Sequence, residues 1–306
     1  MKTDKEELVR LILGMRAAYA RGENAMAWAR ANSVSSNTVV STLIAYDLQA
    51  GSYVEENLRN PLFANAWCEQ LAGLLKPYVS AGDSILEVGV GEATTLVGVM
   101  KAIKVPDISA YGFDLSWSRI KVANNWVGEN DIKAKLFVGD LFNIPLNDNS
   151  VDVIYTSHSL EPNGGEEKRA IRELLRIARK AVILVEPYYE LATKKAQARM
   201  LEHGYVRGLK ATAEAFDVKI VEDRLLEVCN NPLNPSGTLA LIKPPTRDVL
   251  ESTIKWRCPL TGLPLEDKGD YFFADQVGIA YPVLNGIPCL RAEHAIICSK
   301  LASNIK

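Results

Sequence analysis

Histidine and cysteine are scarce in this chain. Among 306 residues there are three histidines, His158, His203 and His294, and five cysteines, Cys68, Cys229, Cys258, Cys289 and Cys298. A structural zinc site takes about four Cys or His ligands, usually in closely spaced pairs. These residues are scattered and supply no such pairs, so no metal is expected. Five scattered cysteines, behind an N-terminus whose acidic residues break the basic-then-apolar order of a leader, point to reduced thiols and a cytoplasmic setting. No apolar run reaches the length of a membrane span, so no membrane partner is expected. Charge of one sign is lacking too: 35 Lys and Arg stand against 37 Asp and Glu, a net of -2. That excludes bulk attraction to anionic surfaces and argues against a nucleic-acid partner.

The apolar content, 48%, is that of a globular chain with enough residues for one large domain and a smaller one. Residues 1–80 read as a helical cap. Helical spacing runs through 5–20 and 23–32, through SSNTVVSTLIAYDLQ with Ser35 or Ser36 as N-cap, and through PLFANAWCEQLAGLLKPYV, ending near Pro77. From Ser84 strands alternate with helices. Apolar runs at 85–90, 108–114, 134–140, 151–159 and 181–187 are separated by helical patterns such as ATTLVGVMKAI, SRIKVANNWVGE and EEKRAIRELLRIARK. Strands apolar at nearly every position suit a sheet covered on both faces, and the alternation predicts a doubly wound, mostly parallel α/β sheet over 81–246. Two further runs, VKIVEDRLLEV (218–228) and TLALIKP (238–244), are joined by a loop too short for a helical crossover, so they must pair antiparallel. Residues 244–253 read as a linker to a small α+β module at 254–306.

The stretch ILEVGVGEATT (85–95) is a buried strand running into a glycine turn and a helix. Gly89 and Gly91 permit close approach of a ligand to the backbone. Thr94 stands where a dinucleotide fingerprint would place its third glycine. Asp114 closes the next strand in YGFDLSWSRI, at the distance expected of a ribose-binding carboxylate. Asp140 closes the third, in GDLFNIPL. An Asp after one strand is ordinary turn chemistry; acids on successive strand ends of one sheet edge point to a shared ligand.

Together with the terminal hairpin, ILEVGVGEATT, YGFDLSWSRI and GDLFNIPLNDNSVDVIYTSHSLE resemble the class I S-adenosylmethionine (SAM)-dependent methyltransferases over about 80–245. The resemblance implies a seven-stranded sheet, with SAM as methyl donor and S-adenosylhomocysteine as product. It places Glu87, Gly89 and Gly91 in the first SAM motif, with Glu87 near the cationic end. Asp114 and Leu115 fall at the ribose, Asp140 and Leu141 at the adenine, and Ser157 beside the donor. Glu92 departs from the pattern, which often has a small residue there. The segment IAYDLQAGSYVEENL (44–58) precedes the first motif, where such enzymes commonly fold over the donor. Tyr46 and Tyr53 are its candidate lid residues, since aromatic faces attract a sulfonium.

Methyl transfer is an in-line displacement that alignment alone can accelerate. A general base is needed only if the nucleophile must lose a proton. The loop TSHSLEPNGG after the fourth strand is the place for one, with His158 as candidate base and substrate contact and Glu161 beside it. Glu186, Tyr188 and Tyr189 follow the fifth strand as substrate candidates; His203 reads as a helix-end residue. The leading expectation is a methyltransferase acting on a small molecule. The alternatives are an RNA or protein methyltransferase, or a non-catalytic SAM-binding scaffold.

The last segment runs from KWRCPL to YPVLNGIPCL and resembles the small zinc-ribbon-like module that serves as activator of tRNA and protein methyltransferases. Its metal half departs from that pattern, with Thr261 where a second cysteine would follow Cys258. A metal-free core of Tyr271, Phe272, Phe273, Ile279, Tyr281, Val283 and Ile287 is expected instead. Either this module or the N-terminal helices would carry a homodimer or partner contact.

Overall fold

A computed structural model describes residues 5–32, 38–245 and 254–302. Five helices come first: α1 (Lys5–Ala20), α2 (Ala25–Asn32), α3 (Val39–Leu48), α4 (Ser52–Arg59) and α5 (Pro61–Leu75). Ser35 and Ser36 lie outside the described residues. The cap of α3 is Thr38, whose hydroxyl accepts the Ser41 N–H while Ser41 Oγ accepts the Thr38 N–H. This reciprocal arrangement satisfies two N–H groups and fixes where the helix starts. Pro61 opens α5, where its missing N–H costs nothing.

The alternating region follows: β1 (Ser84–Val88), α6 (Thr94–Ile103), β2 (Ser109–Asp114), α7 (Trp117–Glu129), β3 (Ala134–Val138), β4 (Val151–Thr156), α8 (Glu167–Ile177), β5 (Ala178–Pro187), α9 (Lys194–His203), α10 (Leu209–Ala213), β6 (Lys219–Leu225) and β7 (Ser236–Ile242). The strands form one seven-stranded sheet in the order β3-β2-β1-β4-β5-β7-β6. The first five are parallel, and β7 lies antiparallel to both β5 and β6. The doubly wound sheet and its terminal hairpin are as the sequence predicts. Boundaries differ. Strand β5 begins at Ala178, three residues earlier than its apolar run suggests, while β3 and β4 stop short at Val138 and Thr156. Their last expected residues turn away to line a cavity. His203 ends α9 ahead of Gly204, which takes the left-handed conformation of a helix stop.

The two-residue period of the strands divides the core between the faces of the sheet. Ile85 packs with α5, α6 and α7, whereas Leu86 and Val88 pack with α8 and α10. All five residues of β1 are buried.

Residues 246–253, most of the expected linker, lie outside the described residues. Beyond them β8 (Glu266–Asp267), β9 (Tyr271–Ala274), β10 (Ile279–Leu284), β11 (Ile287–Pro288) and β12 (Ile296–Ile297) make a second, antiparallel sheet. Phe272, Phe273, Tyr281 and Ile287 are buried as expected, while Tyr271, Ile279 and Val283 are half-buried. The unit shares the main core rather than enclosing its own. Phe113, Phe137, Trp256 and Phe272 form a chain of ring contacts with centroids 5.4, 5.1 and 5.1 Å apart. The Leu290 N–H donates to the Val138 carbonyl at 2.9 Å, and the Arg257 N–H to the Pro145 carbonyl at 3.0 Å. Cys258 is buried with its Sγ 3.3 Å from the Tyr281 hydroxyl. Among the described residues no group of three His, Cys, Asp or Glu side chains is placed to hold a metal.

Candidate functional site

A cavity of about 410 Å³ opens at the C-terminal ends of the parallel strands, beneath α3, α4 and α5. In open α/β sheets this is where ligands bind, and the volume is that of a small-molecule site. Gly89, Gly91, Asp114, Leu115, Asp140, Leu141, Ser157, His158, Tyr46 and Tyr53 all line it. These residues come from six separate stretches of the chain, and the sheet brings their ends together.

The floor is the glycine turn. Gly89 and Gly91 have φ of 65° and 54°, a region open to glycine without strain. Space is also short: a Cβ on Gly89 would lie 2.4 Å from Ser159 Cβ. The Val90 N–H donates to the Phe113 carbonyl at 2.8 Å, locking the turn to the end of β2. Asp114 then braces it from the side, accepting the Gly91 N–H at 3.1 Å and the Ser116 N–H at 2.9 Å. Burial holds the Asp114 carboxyl above its ordinary range against those bonds. Asp140 is likewise raised by burial and accepts the Phe142 N–H at 2.9 Å, turning the chain so that Leu141 and Phe142 face the cavity.

Glu92, the residue that departs from the small-residue pattern, ties the helical cap to this floor. Its side chain is fully buried, accepting the Gly51 N–H at 2.9 Å and the Val54 N–H at 2.8 Å. Those two N–H groups belong to the N-cap and first turn of α4, where Gly51 has φ 104°. Arg119 completes the joint. Its Nε donates to the Tyr46 carbonyl at 2.7 Å, and its guanidinium lies 4.1 Å from the Tyr53 ring centroid and 5.2 Å from that of Tyr46. The Ser116 hydroxyl adds a 2.6 Å bond to Asp47. Arg119 Nη2 is buried at the cavity wall with no hydrogen-bond partner.

Five predicted site residues do not line the cavity. Glu87 shares the face of Ile85 and points under α6, where its Oε2 accepts the Tyr155 hydroxyl at 2.8 Å. Burial pushes its carboxyl up to about 8. Glu186 is buried behind the loop after β4 and accepts three of its backbone N–H groups, from Ser159, Leu160 and Glu161. Desolvation raises it to about 7. Glu161 stands behind His158, 2.9 Å from Nδ1. Tyr188 covers Gly237 and gives its hydroxyl to Asp223. Tyr189 opens a short helical turn, its carbonyl accepting from Gln197.

His158 does face the cavity. It occupies the left-handed region, at φ 58°, with Nε2 2.7 Å from Ser236 Oγ and its ring edge-on to Trp67 at 5.8 Å. Burial opposes the imidazolium. The bond to Glu161 and the charges of Glu161 and Glu186 outweigh it, so the His158 pKa is raised. Phe63, Trp67, Arg119, Asn230 and Ser236 also line the cavity, and sequence reasoning did not find them. The contacts of Arg119 span up to 73 residues and those of Ser236 span 78, so no local spacing marks either one.

Residues 85–181 match the methyltransferase domain family model. Among curated proteins, ajmaline N-methyltransferase from Rauvolfia serpentina is 25% identical over 138 residues, 44% of this chain and 46% of that protein. The chain thus spans less than half the length of that relative. Among solved structures, magnesium protoporphyrin IX methyltransferase from Synechocystis PCC 6803 with bound SAH is 13% identical. It has a TM-score of 0.48, over 63% of this chain and 88% of that one. A SAM-dependent methyltransferase from Aquifex aeolicus is 17% identical, with a TM-score of 0.43 over 56% of this chain and 88% of its own. The matched segment runs from β1 into β5 and carries the glycine turn, Asp114, Asp140 and His158, so the central part of this chain is similar to a methyltransferase domain, within a longer chain whose cap, hairpin and C-terminal unit lie outside the match.

Proposed function

We propose that the cavity binds SAM and that the protein transfers its methyl group to a small-molecule acceptor. The observation that carries this is the convergence of Asp114 and Asp140 on one cavity around the Gly89–Gly91 turn, inside the segment that matches a methyltransferase domain. The residues present fit the donor. Gly89 and Gly91 line the cavity with left-handed backbone and no side chain, which leaves their peptide groups open to close approach by a ligand. Arg119 Nη2, a buried donor without a partner, suits a carboxylate at the methionine end. Asp114 would meet the ribose hydroxyls; Asp140 and Leu141 would meet the adenine. Tyr46 and Tyr53 roof the site beside Arg119. Glu87 supports the turn from behind rather than meeting the ligand.

When bound, the sulfonium supplies an electrophilic methyl group. The protein's part is to orient an acceptor in line with it, exclude water beneath the cap, and hold a base at His158. Arg119 is the only Lys or Arg lining the cavity among the described residues, which favours a small molecule over RNA. The C-terminal unit is proposed to serve its own catalytic domain, since its aromatic residues join the main core. Five free cysteines support a cytoplasmic setting.

Calorimetry tests the central claim. SAM and S-adenosylhomocysteine should bind, and Asp114→Ala should weaken both by about tenfold or more, the loss of a charge-assisted hydrogen-bond partner. No heat of binding at millimolar SAM would end it.

A further inference from the structure

Ser236, His158 and Glu161 form a continuous hydrogen-bonded chain. Ser236 Oγ is 2.7 Å from His158 Nε2, and His158 Nδ1 is 2.9 Å from Glu161 Oε2. Glu161 is held below its ordinary pKa: desolvation opposes its charge, but the His158 bond outweighs it, helped by Tyr205 and Asn234. An ionised carboxylate only accepts, so Nδ1 carries the ring hydrogen. In the neutral ring Nε2 is then the acceptor and Ser236 the donor.

The chain has a direction. Ser236 and His158 line the cavity, whereas Glu161 lies behind them. Its members come from the first residue of β7 and from the loop after β4, so two elements must be in place to form it. The left-handed backbone of His158 is unusual for a residue with a Cβ. It is held by the His158 N–H bond to the Val185 carbonyl at 2.9 Å, and by Glu186, which accepts the next three N–H groups. The fold thus fixes the imidazole in one orientation, with its basic nitrogen covered by a serine hydroxyl rather than open to the ligand.

Such a chain is useful only to a nucleophile that must lose a proton. A neutral amine attacks with its lone pair, whereas a hydroxyl is a poor nucleophile until deprotonated. The surrounding wall is aromatic. Trp67 meets His158 edge-on, and Phe63 stacks on Trp67 with centroids 6.5 Å apart.

We infer that Ser236 is a catalytic residue that relays the proton of an aromatic hydroxyl acceptor to His158, so that the methylated atom is oxygen. This rests on the methyl-transfer proposal above. The acceptor O–H bond breaks and its proton passes to Ser236 Oγ, while the Ser236 proton moves to Nε2. The oxygen keeps its electron pair and forms the new bond to the methyl carbon. The carbon–sulfur pair returns to sulfur, leaving a thioether. The proton ends on His158, where the imidazolium faces Glu161.

The charged and titratable groups around His158 are Glu161 on its own loop, Glu186 on β5 and Cys229, 3.9 Å from Ser236 Oγ on the hairpin. Trp67 on α5 adds none. The first test is imidazole ¹⁵N NMR on the full-length protein, with S-adenosylhomocysteine as the probe ligand. The neutral His158 ring should be protonated at Nδ1, with Nε2 bare, and Glu161→Gln should lower its titration midpoint. A neutral ring protonated at Nε2 overturns the relay without any turnover measurement. The second test is turnover on a panel of phenols and the matching anilines. Phenols should be methylated, with kcat rising with pH along the His158 titration seen by NMR. Ser236→Ala should lower kcat by about 10²-fold or more with SAM affinity unchanged, and Ser236→Thr should restore much of it. Full turnover in Ser236→Ala, a rate flat through the His158 titration, or methylation confined to anilines overturns the relay and leaves the methyl-transfer proposal standing. Absence of SAM binding removes that proposal itself.

Discussion

Glu92 Oε1 lies 3.5 Å from Arg119 Nη1, with both side chains out of solvent, and each reaches past the other to the helical cap. The pair is one joint between three elements: the glycine turn, the start of α7 and the turn between α3 and α4. Removing one partner of a buried pair leaves the other charge uncompensated, at a cost of about 3–5 kcal/mol. Glu92→Ala also strips the acceptor from the Gly51 and Val54 N–H groups. Urea unfolding should show a loss in this range, and limited proteolysis should cut first between α3 and α4. Wild-type resistance of that turn in the variant would contradict the joint.

Glu186 should control the shape of the loop after β4. It is the acceptor for three consecutive N–H groups, and an unsatisfied buried donor costs about 1–3 kcal/mol. Glu186→Ala should therefore destabilise the protein by at least about 2 kcal/mol and speed hydrogen exchange at Leu160 and Glu161. Glu186→Gln, with one acceptor oxygen left, should fall between.

Glu87 sets a pH dependence of stability. Burial raises its folded pKa to about 8, far above its value in an unfolded chain. The folded state then holds a proton that the unfolded state has lost, so this contribution is fully present below the unfolded pKa and declines as pH rises through about 8. Melting temperature should drop between pH 5 and 9, and the slope should be shallower in Glu87→Gln. Equal slopes would place the titration elsewhere.

Gly89→Ala should damage both folding and ligand binding. The left-handed backbone adds about 1–2 kcal/mol for a residue with a Cβ, and the new methyl would press on Ser159 Cβ. The thermal midpoint should drop, and SAM affinity measured by calorimetry should fall more than about tenfold.

The sheet and its ligand edge were legible in the sequence because both rest on local signals. Short, nearly continuous apolar runs name the strands, a short loop forces the hairpin, and Asp114 and Asp140 stand out by closing successive strands. The loop carrying His158 was found by its position after β4. What escaped were partners set by tertiary packing. Glu87 looks like a ligand residue in EVGVG, but the alternation of β1 turns it under α6 toward Tyr155. Glu92 and Arg119 carry no motif, since each is defined by contacts with a cap that precedes the sheet. Ser236 is the penultimate letter of the hairpin loop CNNPLNPSG, and only the antiparallel return of β7 brings it beside His158.

Trp256 should anchor the C-terminal unit, since it bridges Phe137 of the sheet and Phe272 of the unit. Trp256→Ala should cost about 3–5 kcal/mol, read by urea unfolding, with near-UV circular dichroism reporting the loss of aromatic packing.

The docking of that unit has a consequence for the chain in a crowded cell. A sheet of this plan ends in two open strand edges, and an open edge invites pairing with another chain. At one end β6 presents Lys219, Glu222, Asp223 and Arg224, charged side chains that discourage such pairing. At the other end β3 finishes in the apolar Leu136, Phe137 and Val138, and there the unit lays Cys289 alongside Val138 and takes up its carbonyl. The small sheet therefore covers the C-terminal end of β3, where a further strand would otherwise find Val138 open for pairing. A chain cut before Trp256 should aggregate at concentrations where the full chain stays dispersed.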